Sequence, residues 1–141
     1  MRYAYPYQLA PQPEGGFTVT FPDVPEAVTE GDTEGEAMER AEDALVAALS
    51  FYTDRNEPLP IPSTQGKSPL ALLPPLVAAK LALHDAMLDA GMSNVEMARR
   101  LGLDEKAVRR LRDPLHRSHI GMVEAALRLL GRRLEVSVLA S

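Results

Sequence analysis

The sequence predicts an α+β protein in two parts: a small sheet carrying one helix, then a helical half that closes on a strand. Three patterns carry this reading. Tyr3, Tyr5, Tyr7 and Leu9, and later Phe17, Val19 and Phe21, alternate with smaller or polar residues, the period of half-buried strands. Ala37, Ala41, Ala44, Leu45, Ala48, Leu49 and Tyr52 recur at helical spacing and form one apolar stripe. From Leu76 to Leu130 the apolar residues keep helical spacing, until Leu134, Val136 and Val138 alternate again.

The elements follow in order. Arg2–Leu9 reads as a strand in which Pro6, with no N–H to donate, marks an edge or a bulge. Glu14-Gly15-Gly16 is a turn signal, so a hairpin to Phe17–Phe21 is expected, with a short third strand at Ala27–Thr29. Thr33 and Glu36 have capping-box spacing and open a helix over 34–52. Prolines alternate through Glu57–Pro62, which suits an extended segment. Leu70–Leu73 reads as a last strand beside the first hairpin. Pro74-Pro75 then divides the chain into domains at 1–74 and 75–141.

The second domain begins with a helix over Leu76–Ala90, stopped by Gly91. Asn94–Asp113 has helix-turn-helix spacing: small Ala98 where two helices cross, Gly102 at the turn, Val108 on the inner face of the second helix. Met97, Leu101, Leu103, Val108 and Leu111 are its expected core. Lys106, Arg109, Arg110 and Arg112 are expected to face outward, giving the basic surface that a major groove accepts. A row of arginines is also an ordinary solvated face; the agreement of spacing with charge favours DNA. Ser118 is read as the cap of a helix over His119–Leu130. The alternating tail Arg132–Leu139 is read as a strand. A lone strand leaves its backbone groups unpaired, so its simplest partner is the same strand of a second chain, in a two-fold homodimer; the alternatives are that it adds to the front-half sheet or is no strand at all. Dimers could pair further into a tetramer.

The net charge is −5. It divides unevenly: residues 1–62 carry 12 acidic and 3 basic side chains, and residues 63–141 carry 8 acidic and 12 basic. The front half suits a basic protein partner and the back half suits nucleic acid. With zero cysteines there is neither a disulfide framework nor a thiolate metal site. No apolar run suggests a membrane span or a signal peptide, so a cytoplasmic protein is expected.

Two-metal nuclease chemistry needs several carboxylates around the ions. Asp23, Glu26, Glu30 and Asp32 are close in sequence, but no acidic residue lies in the second strand or in Leu70–Leu73. His116 and His119 have a usable ligand spacing, yet Arg117 and Ser118 between them add no ligand. His84 lies among Leu and Ala and reads as structural. No enzyme, metal or cofactor is therefore expected.

The two halves together resemble the HicB antitoxins of bacterial HicA–HicB toxin–antitoxin pairs. The front half carries the resemblance in Gly16-Phe17-Thr18-Val19-Thr20-Phe21-Pro22-Asp23-Val24-Pro25, in Thr29–Thr33 and in Glu36-Ala37. The back half carries it in Leu76–Leu83 and in the helix-turn-helix. One departure is Glu26-Ala27, where members often have Gly-Cys or a similar small pair. The resemblance implies a degraded, non-catalytic ribonuclease-H-like front domain. It would cover a small basic HicA-like toxin that cuts mRNA with a histidine. The back domain would bind operator DNA and repress the pair's own transcription. Within the acidic half, Asp23, Glu26, Glu30 and Asp32 are the candidate toxin contacts. For DNA, Lys106 and Arg109 suit base edges, guanine above all, while Glu105 suits cytosine N4 or the helix start. Arg110, Arg112 and Arg117 suit phosphates, with Ser93 and Asn94 adding contacts at the start of the first helix. The alternative function is a stand-alone helix-turn-helix regulator whose front domain senses a small ligand.

Overall fold

The computed structural model describes residues 2–63 and 66–140, and the chain divides into two compact units, Met1–Leu73 and Pro74–Ser141. It is α+β: a small antiparallel sheet system with one helix, then helices.

In the first unit the expected opening strand is broken in two. β1 (Ala4–Pro6) pairs antiparallel with β5 (Leu70–Leu72), placing Tyr5 opposite Ala71. β2 (Gln8–Pro11) pairs with β3 (Phe17–Thr20), placing Leu9 opposite Val19. The break falls at Tyr7, whose N–H donates to the Pro69 carbonyl at 3.1 Å. Pro6 is its cause: a residue without an N–H ends one ladder, and the chain changes partner after it. β4 (Val28–Gly31) completes the order β2-β3-β4.

α1 (Glu34–Asp54) lies across β3 and β4. Its start is set by Thr33, whose hydroxyl accepts from the Glu36 N–H at 3.1 Å. Gly31 lets the end of β4 come this close: a Cβ there would sit 2.5 Å from the Ala37 nitrogen. The buried stripe is Ala37, Ala41, Leu45, Val46, Ala48, Leu49 and Ser50. It is rotated from the expected one, for Ala44 and Tyr52 are only half-buried. Tyr3, Ala4, Tyr5, Val19, Phe21, Val24, Ala27, Leu59 and Leu73 are also buried in this unit.

Among the described residues the second unit has four helices: α2 (Pro75–Ala90), α3 (Asn94–Leu101), α4 (Glu105–Arg112) and α5 (Ile120–Leu129). Ala79, Leu83, Met87, Met97, Ala98, Val108, Leu111, Val123 and Leu127 share one apolar core. Two expectations need correction. Ser118 does not cap α5; the cap is His119, with no side-chain bond, because the Ser118 hydroxyl accepts from Lys80 Nζ at 2.7 Å instead. The tail forms no strand in the single chain. Leu134 packs against the helical core, but Val136 and Val138 are 65% and 96% exposed. A strand needs a ladder partner, and among the described residues no segment of its own unit supplies one.

Candidate nucleic-acid face and acidic loops

α3 and α4 meet at a tight turn. Gly102 holds φ +68°, the left-handed region that glycine enters at no steric cost, and closes α3. The Leu103 N–H returns to the Ala98 carbonyl at 2.9 Å. Asp104 then starts α4, accepting from the Ala107 N–H at 2.8 Å. Met97 and Ala98 from α3 and Val108 and Leu111 from α4 are buried between the helices. Ala98 and Val108 are thus buried and Gly102 makes the turn between the two helices.

That packing turns Lys106, Arg109 and Arg110 outward, and all three are exposed. Arg109 is held from its own helix: its guanidinium reaches Glu105 Oε2 at 2.7 Å and Oε1 at 2.8 Å. This hydrogen bond is the main cause that keeps Glu105 below the ordinary carboxylate range. Arg117 is exposed in the connector. Ser93 caps α3, accepting from the Glu96 N–H at 3.1 Å, and stays exposed.

Arg112 does not face outward as expected. It is 7% exposed. Arg112 donates to Asn94 Oδ1 at 2.7 Å, and its other terminal nitrogen lies 2.7 Å from His84 Nδ1. Burial pushes its guanidinium down. It lies one residue beyond Leu111 on a helix whose end is covered by α2, so its charge is spent inside the unit. Asn94 is likewise occupied, by Arg112 and, at 3.5 Å, by Glu105.

Sequence reasoning missed Arg99 and Arg100. Both are exposed at the end of α3 and held by Glu96, at 2.6 and 3.0 Å. Their spacings of three and four from Glu96 were legible as helical pairs. They add two cations to the same pair of helices.

In the first unit the four acidic candidates separate. Asp23 accepts from the Ser63 N–H and hydroxyl, both at 2.8 Å, and so ties the loop after β3 to the proline-rich segment. Glu26 accepts from the Tyr52 hydroxyl at 2.7 Å, and that bond is the main cause raising the Tyr52 phenol above its usual value. Glu30 accepts from Gln12 at 2.8 Å, while Asp32 is exposed beside the start of α1. Among the described residues no three His, Cys, Asp or Glu side chains group so as to hold a metal ion. Nor is any described helix long and apolar enough to cross a membrane.

Residues 4–82 match the family described as HicB_like antitoxin of bacterial toxin-antitoxin system. Curated relatives match over nearly the whole chain. Antitoxin HicB of Escherichia coli strain K12 is 41% identical over 133 residues, 94% of this chain and 96% of the relative. Antitoxin HicB 1 of Photorhabdus laumondii is 40% identical over 95% of this chain and 86% of its own length. Antitoxin HicB of Pseudomonas fluorescens is 39% identical over 99% of this chain and 96% of its own. A match over more than half the chain, with relatives at this identity across both units, leaves one assignment: the chain belongs to the HicB-like antitoxin family.

Proposed function

We propose that this chain neutralises a HicA-like mRNA-cutting toxin through residues 1–74. Through α3 and α4, acting as a helix-turn-helix, it would bind operator DNA and repress its own operon. The observation that carries the DNA half is the outward row Lys106, Arg109 and Arg110 above buried Val108 and Leu111. Such a face fits the major groove, with Arg109 suited to guanine and Arg110 and Arg117 to phosphates. For the toxin half, the relatives' names and the excess of acidic over basic residues in 1–62 support a basic protein partner. Asp32 is the better contact of the four, since Asp23, Glu26 and Glu30 each accept hydrogen bonds from side chains or backbone of their own unit. The sheet and helix fit a ribonuclease-H-like unit without catalysis, working in the cytoplasm.

Two assays test this. The purified chain should stop RNA cleavage by the basic protein encoded beside it, and should shift its own promoter in a gel. Continued cleavage with a full equivalent of the chain would sink the first role, and an unshifted promoter the second. A homodimer joined by the tail is part of the proposal. Deleting 133–141 should leave monomers in sedimentation and weaken operator binding, because joined half-sites act as one bivalent ligand.

A further inference from the structure

α2 places two basic residues with no solvent exposure four positions apart, Lys80 and His84, and therefore on one helix face. Both meet the end of α4. Lys80 Nζ donates to the Arg110 carbonyl at 2.7 Å, the Asp113 carbonyl at 3.1 Å and the Ser118 hydroxyl at 2.7 Å. An ammonium has three protons, and three acceptors receive them. The last carbonyls of a helix lack intrahelical donors and carry the negative end of its dipole, so a cation fits there. Burial pushes Lys80 down to about 8, opposed by the Asp113 carboxylate, which leaves it a cation at neutral pH. One turn on, His84 Nδ1 accepts from Arg112, because a guanidinium only donates. Arg112 carries the tie to Asn94 at the start of α3.

An eight-residue helix held by Val108 and Leu111 alone can roll about that contact. Fixed bonds to its last turn remove that freedom. We propose that Lys80 and His84 are positioning residues for operator binding: they fix the end of α4 and the connector after it, and so set where Arg109, Arg110 and Arg117 point. The inference rests on the operator-binding reading above. Lys80 is fully buried and touches no DNA itself.

The test uses the full chain with Lys80→Met and, separately, Ser118→Ala. Operator affinity is titrated across salt concentrations, at a temperature where circular dichroism shows each variant folded. Lys80→Met should lose about tenfold or more in affinity. Its plot of log K against log salt should be shallower by about 0.9 for each phosphate contact misplaced. Ser118→Ala should move both in the same direction by a few-fold. Toxin neutralisation should be unchanged in both. Folded variants that keep wild-type affinity and salt slope overturn the proposal. If Lys80→Met does not fold, Ser118→Ala decides, since it leaves the ammonium its two carbonyls. Failure of the wild type to bind its operator would instead remove the DNA reading, and the proposal with it.

Discussion

The two units bury polar groups in opposite ways. Among the described residues, the first unit buries no charged side chain: Ser50 bonds to the Ala47 carbonyl within its own helix at 2.6 Å, and the hydroxyl of buried Tyr5 donates to the Pro60 carbonyl at 2.8 Å. The second buries Lys80, His84 and Arg112 and ties them across three helices. Length explains the difference. α1 has 21 residues and a sheet to lie on, so apolar area fixes it. α3 and α4 have eight residues each. Helices that short are marginal in water and owe their place to tertiary contacts. Buried charge is costly unless paired, so each correct bond disfavours every other arrangement. The unit with the smaller elements therefore carries the more demanding polar network.

The strongest way to sharpen the contrast is to separate the units. Residues 1–74 alone should fold and neutralise the toxin, while all specific operator binding disappears. A gel shift and an RNA-cleavage assay on the fragment check this; a folded fragment that leaves cleavage untouched breaks it. Next in size is Arg109→Ala. It should cost about 1–3 kcal/mol per half-site in operator binding, twice over in a dimer, and nothing in toxin neutralisation. Unchanged operator affinity would remove Arg109 from the base contacts.

A third measurement probes the buried ammonium through pH. Lys80 stands at about 8, below its ordinary value of 10.5. Between these values the unfolded chain binds more protons at this site than the folded one. Stability from this group therefore rises with pH across that window, and is lost again as pH falls through 8. The gain is on the order of 1–3 kcal/mol. Urea unfolding at pH 7.5, 9 and 10.5 should show it as a difference from Lys80→Met, whose curve lacks this rise. Parallel curves would mean that the ammonium is not desolvated. The smallest effect belongs to the first unit: Thr33→Ala should cost about 1 kcal/mol of its stability, by loss of the α1 cap, with operator binding unaffected.

Periodicity was enough for the front hairpin, the long helix, the four later helices and the turn at Gly102, because each is a local pattern with a local cause. Spacing also placed Lys106, Arg109 and Arg110 on an outer face, since Val108 and Leu111 fix the inner one. It failed where the deciding contact is remote in sequence. Tyr7 changes ladder because Pro69 awaits it, 62 residues on. Arg112 looked like its basic neighbours, but it meets His84, 28 residues away. Ser118 had every mark of a cap until Lys80, 38 residues earlier, took its oxygen. Asp23 looked like a free loop carboxylate and instead holds Ser63.

The sequence by itself determined the helices, the turn, the charge reversal between the halves and the family resemblance, for these depend on residue type and near spacing. Tertiary structure decided which basic and acidic side chains remain at the surface. Nothing in a short helical repeat distinguishes an arginine that faces solvent from one whose helix end is covered. Only the approach of another helix, with an acceptor at hydrogen-bond distance, makes that difference.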